Sequence, residues 1–186
     1  MERNIEDLWE RYEGLLKRLS DHNINTLLND NDQRIVETTY HTSNKEKYCG
    51  PGGFLEFSLD LANTARSINK SLELNCSTKS IILVSLLGEI SKMGDLQNDL
   101  YVIQESEWHR EKLGQLYTWN EECPKMSLSH RTLFILQHYG IKLDQEEWLA
   151  IQLMSGMHLE ENKFYLGHNK GLPFLIQTAR QHVLNS

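Results

Sequence analysis

The 186-residue chain is poor in cysteine, proline and basic side chains, and each shortage excludes something. Its three cysteines, Cys49, Cys76 and Cys123, are far apart and form no CxxC pair. An odd, scattered set excludes a disulfide framework and a cysteine zinc site, and predicts reduced thiols in an intracellular, cytoplasmic protein. Three prolines and no low-complexity tract leave no room for a linker. Lysine and arginine number 19 against 26 acidic residues, a net charge of −7, with no basic run. That balance argues against nucleic acid as the partner, since non-specific affinity depends on neutralising phosphates. The longest apolar run, "IILVSLL", has six apolar residues bridged by Ser85, far short of a membrane span. The charged start "MERNIEDLWERYEGLLKRL" is no signal peptide. There is also no GxxxxGK[ST], GxGxxG, HExxH or GxSxG motif.

What is present is helical periodicity. Ile5, Leu8, Trp9, Tyr12, Leu15, Leu16 and Leu19 recur at helical spacing over residues 4–19. Residues 20–36 are polar and Asn-rich, with a short apolar patch at Leu27 and Leu28, and read as a connector. Residues 37–53 read as a long loop closed by "GPGG". A second helix over about 54–72 carries Phe54, Phe57, Leu61, Ala65, Ile68 and Leu72 on one stripe. Ser77 is an N-cap candidate for a central helix over about 78–92, apolar on nearly all sides. "QLYTW" reads as a short strand or hairpin arm. Further helices are predicted over about 127–139, from behind the Asp144/Glu147 capping pair to about 155, and over about 172–184. The expected architecture is a single all-α bundle of six or seven helices with room for a short β-hairpin. Residues 1–36 would form an N-terminal helix and connector packed on a 37–186 helical domain.

The eight histidines form no clamp: His130 and His138 are eight apart on one helix, not four, so metal binding would need tertiary contact. His22, His41, His109, His158, His168 and His182 are scattered over loops and polar segments. The "GPGG" loop has no Lys-Ser/Thr behind it and reads as a helix-start turn rather than a phosphate cradle. One stretch stands out, "SLLGEISKMGD", where Gly88, Glu89 and Lys92 interrupt the most apolar helix. Glu89 and Lys92 are placed for an intrahelical pair.

In order, "YHTSNKEKYCGPGGFLEFSLDLA", "SLLGEISKMGD" and "LSHRTLFILQHYGIKLDQEEWLAIQLMSG" resemble the HD-domain phosphohydrolases, in particular small single-domain members often encoded by phages and bacteria. The resemblance covers roughly residues 38–160 and rests on Tyr40, His41, Gly52, Gly53, Leu55, Glu56, Ser58, Leu59, Leu86, Leu87, Ile90, Lys92, Leu143, Glu146, Glu147, Ala150, Ile151 and Gly156. It implies an HD-like helical bundle. At the family's metal-ligand positions, however, this chain has Phe57, Gly88-Glu89, Leu128 and Met154, and the family's last aspartate has no clear counterpart near Ala179 and Arg180. Phe, Gly, Leu and Met offer no metal donor.

The resemblance therefore implies a catalytically inactive HD-like protein without metal or other cofactor, its former site converted to apolar core. Phe57 would pack over Gly88. Lys92, Arg180 or His41 would neutralise Glu89. Such a protein would bind another protein as a regulatory module, for a phage member acting on host machinery. A second expectation is a nucleotide- or anion-binding vestigial pocket formed by His41, Glu56, Glu89, Lys92 and His130. A third is a rebuilt enzyme site using His41, Glu56, Glu89 and His130 with Asp60 or Asp95. Oligomeric state is left open.

Overall fold

The computed structural model describes residues 3–165, 167 and 170–186. Among them are seven α-helices and one two-stranded antiparallel sheet, so the all-α reading with a short hairpin holds. Helix α1 spans Ile5–Lys17, α2 His22–Glu37, α3 Gly53–Ser71 and α4 Thr78–Leu87. Strands β1 (Tyr101–Ile103) and β2 (Tyr117–Trp119) pair in the register Tyr101–Trp119, Val102–Thr118 and Ile103–Tyr117. Then come α5 (Leu128–His138), α6 (Gln145–Leu153) and α7 (Gly171–Asn185). No described helix is long and apolar enough to cross a membrane.

Helix α4 is central, packed on by α1, α3, α6 and α7, and every residue from Ser80 to Leu87 is buried. Its low amphipathicity is what a helix covered on all sides requires. Ser77 caps it, its hydroxyl accepting from the Ser80 amide. Asp144 and Glu147 form the predicted capping box at the start of α6. Tyr12 of α1 donates its hydroxyl to the Leu86 carbonyl at 2.8 Å, tying the N-terminal helix to the end of α4.

Two differences from the sequence expectation stand out. Residues 22–37 are not a connector but the four-turn helix α2, which buries Ile24, Leu27, Leu28, Asn31 and Ile35. The fourth of these is polar and masks the stripe. Its amide is satisfied by the Leu27 carbonyl and the Tyr139 hydroxyl, both at 2.9 Å. Helix α4 stops at Leu87 rather than near 92. Gly88 is its C-cap, not a mid-helix residue, and a 3₁₀ turn over Ile90–Met93 follows. The backbone turns at Glu89 (φ −122°, ψ 29°), which swings that side chain inward.

Candidate functional site: a sealed ionic centre

The loop ahead of α3 is fixed by its backbone. Gly52 has φ 72°, and a Cβ on Gly53 would collide with the Tyr48 carbonyl, so only glycine fits at both positions. The loop amides are already engaged. Gly52 donates to the Val36 carbonyl at 2.8 Å, Gly53 to Gly50 at 3.0 Å and Phe54 to Thr38 at 3.2 Å. Those three amides are spent within the fold, in keeping with a helix-start turn. The loop places Tyr40 against α3, where its ring stacks on Phe57 with centroids 3.8 Å apart and planes 20° apart. Phe57 also meets Tyr48 edge-on at 5.6 Å.

Glu89, Tyr40, Arg180 and Lys92 meet beside this stack. Arg180, from α7, grips the Glu89 carboxylate with two donors: Nη2 to Oε1 at 3.1 Å and Nε to Oε2 at 3.3 Å. The Tyr40 hydroxyl donates to Oε2 at 2.8 Å and accepts from Arg180 Nη2 at 3.1 Å. Lys92 donates to the Tyr40 backbone carbonyl at 3.0 Å, with its ammonium 4.3 Å from the Tyr40 ring centroid. The partner of Glu89 is thus Arg180, one of the three expected candidates. Lys92 points instead at Tyr40, so the expected i,i+3 pair does not form.

Burial sets the electrostatics. It alone would raise the Glu89 pKa, but the charges of Arg180 and Lys92 and the donors around the carboxylate outweigh it and hold the group below the usual carboxylate range. Burial lowers the Lys92 pKa, only partly offset by Glu89. Burial, then the Glu89 charge, raises that of Tyr40. For Arg180 burial acts downward, yet Glu89 and Tyr40 push its pKa up, so it stays charged.

Met154 packs against Gly88, and a Cβ there would strike the Met154 methyl and the Val84 carbonyl. The side chain over the glycine is therefore Met154, not Phe57. Phe57 and Met154 are buried in the core, but Leu128 is half-buried and lies outside the described core cluster. Glu56 is turned outward to Arg3. His41 is half-buried with Nδ1 3.3 Å from Glu46, and burial lowers its pKa. His130 is exposed on α5, its amide engaged by the Ser127 cap. Asp60 accepts from Tyr48 at 2.8 Å, and Asp95 closes a turn through the Gln97 and Asn98 amides. Of the five residues of the expected vestigial pocket, only Glu89 and Lys92 share the centre; His41 borders it through Tyr40 (ring centroids 4.8 Å), and Glu56 and His130 do not enter. His168 lies outside the described residues. Among the described residues no group of three or more His, Cys, Asp or Glu is placed to hold a metal.

The full role of Tyr40 and Arg180 was hidden in the sequence, though a signal existed for the arginine. Arg180 follows Ala179 and is four residues after Ile176 on a helix that buries Leu172, Leu175, Ile176, Ala179 and Val183. A lone arginine beside such a stripe needs an internal anion. Chemically, the centre holds an ionised carboxylate whose oxygens already accept three donors, enclosed at 3% exposure. A general base must reach its substrate, and this one is walled in by Tyr40 and Arg180. The chain matches no protein-family model, no curated protein and no solved structure.

Proposed function

We propose that the protein is a non-catalytic helical module that works by binding another protein. The observation that carries this is the closure of the Glu89 centre. Its carboxylate is 3% exposed and saturated by Arg180 and Tyr40, while the neighbouring Phe57 and Met154 are packed core side chains. Read beside the resemblance to HD-domain phosphohydrolases, the positions where that family holds its metal carry Phe57, Gly88, Glu89, Leu128 and Met154. Of these only Glu89 has a donor suited to a hard or borderline cation, and its carboxylate is engaged by Arg180 and Tyr40. An internal guanidinium, Arg180, faces the carboxylate in place of a metal ion. Metal-assisted phosphoester hydrolysis needs an ion with an open coordination position, and one carboxylate already engaged by a guanidinium is a poor ligand set for it.

The test pairs two assays on the purified chain. Incubation with Mn, Fe, Co or Ni ions, followed by metal analysis and assays on nucleotides and model phosphodiesters, is expected to give neither stoichiometric metal nor turnover. Metal-dependent turnover abolished by Glu89→Gln would overturn the proposal. A thermal-shift screen with nucleotides is expected to give no stabilisation, because a ligand bound only by the folded form must raise the melting temperature. A shift lost on Lys92→Met would replace protein binding with nucleotide capture.

A further inference from the structure

Adjoining depressions that share lining residues form a groove along the seam of α1, α3 and α4, on residues that the Glu89 centre does not use. Its middle is a 340 Å³ depression floored by Leu15, Leu19 and Ile82 and rimmed by Arg18, Arg66 and Lys79. A second depression of 390 Å³ shares Leu15, Arg18 and Arg66 and extends over Gly14 to Glu10 and Arg11, the latter 3.5 Å from Asp7. On the other side a third, of 480 Å³, shares Leu19 and Lys79. This third depression is of mixed charge: it holds Lys142 and the acids Asp21, Asp144 and Glu147, which accept from the backbone amides of Asn23, Glu147 and Asp144 in turn, so the cationic part of the surface is the central depression.

Two observations single this groove out. The first is charge. The chain carries −7 overall, yet the central depression is rimmed by three exposed cations and no acid. None of the three makes an ion pair or a side-chain hydrogen bond among the described residues. These cations surround an apolar floor.

The second is Gly14. It sits inside α1, where glycine is a poorer helix residue than alanine, and a Cβ added to it would meet nothing within 4 Å. No internal contact requires the missing side chain, and the space above it belongs to the groove. An apolar floor within a charged rim is the anatomy of a protein interface, not of a small-ligand pocket, which orients its ligand with buried polar groups. Two adjoining depressions along a helix seam fit successive apolar anchors of a helix laid into a groove.

We infer that this groove docks an acidic amphipathic helix of a partner protein, its apolar anchors entering the depressions beside Leu15 and its carboxylates meeting Arg18, Arg66 and Lys79. The inference rests on the protein-binding function proposed above and names the surface that performs it.

The test uses two fluorescently labelled synthetic peptides with leucine at i, i+3, i+4 and i+7, one flanked by glutamates and the other by lysines, and fluorescence anisotropy with the full chain. The glutamate peptide is expected to bind, more weakly as salt is raised, and the lysine peptide not to bind. The Arg18→Glu/Lys79→Glu variant should lose affinity for the glutamate peptide by roughly tenfold or more and gain affinity for the lysine peptide, since interface charges set partner choice. Gly14→Gln should fold, melt no lower than the parent, and block binding by filling the groove. It serves as the second variant if charge reversal disturbs folding.

Equal binding of both peptides, no binding of either, or binding indifferent to these variants would overturn the inference. So would binding of phosphatidylserine vesicles or single-stranded DNA, rather than peptide, that charge reversal abolishes. Metal-dependent turnover at Glu89 would instead sink the proposed function while leaving a groove result intact. A partner isolated from the native host and still captured by the reversed variant would remove this surface and leave the proposed function standing.

Discussion

Glu89 and Arg180 lie 3.1 Å apart with side chains 3% and 18% exposed, while Arg18, Arg66 and Lys79 stand exposed around a groove with no ion-pair partner among the described residues. The same contrast holds between two glycines. Gly88 has Met154 and the Val84 carbonyl pressed against the place of its absent Cβ; Gly14 has nothing within 4 Å of that place. The centre is finished within the chain, its charges and its volume both matched from inside. The groove is open in both respects. Polar groups that a fold has satisfied internally are poor candidates for outside work, and hydrated surface charges remain available to a partner.

The contrast breaks most visibly if the internal pair is halved. Arg180→Met leaves the Glu89 carboxylate buried without its guanidinium partner, with only Tyr40 and the more distant Lys92 charge beside it, and should cost about 3 kcal/mol of unfolding free energy, measured by urea denaturation. Replacing both partners, as Glu89→Leu/Arg180→Met, should restore most of that loss, because an apolar pair of similar volume removes the uncompensated charge. A double variant as unstable as the single one would mean that the centre is held by something other than this pair.

Acid should probe the same pair. The pKa of Glu89 is lowered in the folded state from an ordinary value of 4.5. Its stabilisation is therefore complete above that value and is lost as the pH falls through the lower folded value, where the native carboxylate must take up a proton. Lys92 is also lowered, from 10.5, so the native state sheds its proton first and stability gained from this group rises with pH between the lowered value and 10.5. Unfolding free energies measured across pH should show the acid limb shrink in the Glu89→Leu/Arg180→Met variant to the part carried by Asp95, whose carboxyl the Asn98 and Gln97 amides also hold low. The alkaline rise should flatten in Lys92→Met. An acid limb unchanged in the double variant would assign it to other carboxylates.

The sequence made the frame legible and the centre only in part. The Asp144/Glu147 capping box, the Ser77 cap and the all-round apolar α4 each depend on neighbours within a few residues, so local spacing predicts them. Helix α2 failed that test because its fourth core position is Asn31, whose burial is permitted by a tyrosine 108 residues away. The break after Leu87 was equally invisible, since Glu89 leaves the helix to meet Arg180 across a separation of 91 residues. His130 qualified by residue type alone and Glu56 by residue type and its place in the family pattern. Only the three-dimensional facing of their helices turns them outward, to solvent and to Arg3. The groove is a harder case. Leu15 and Leu19 belong to the predicted apolar stripe of α1, but Leu16 and Tyr12 take the buried positions and leave these two half-exposed beside Arg66 and Lys79.

The glycine contrast gives the smaller effects. Gly88→Ala must displace the Met154 side chain and press on the Val84 carbonyl, an overpacking expected to cost about 1–3 kcal/mol. Combined with Met154→Ala, the total loss should fall short of the sum of the two single losses, because neighbouring sites couple. Strict additivity in the double-mutant cycle would separate the two side chains and undo the packing assigned to this end of α4.

Gly14→Ala should move the other way. The new methyl group meets no neighbour, the position lies inside a 13-residue helix, and the backbone adopts no left-handed conformation there. Alanine loses less conformational freedom on folding than glycine, so the variant should gain about 0.5–1 kcal/mol, read as a raised urea midpoint with unchanged m-value. A chain that forgoes so accessible a gain at the floor of a cationic groove fits a site whose open volume serves a partner. A loss of stability on Gly14→Ala would mean that the space above α1 is closed in solution, and would remove the contrast between the two glycines.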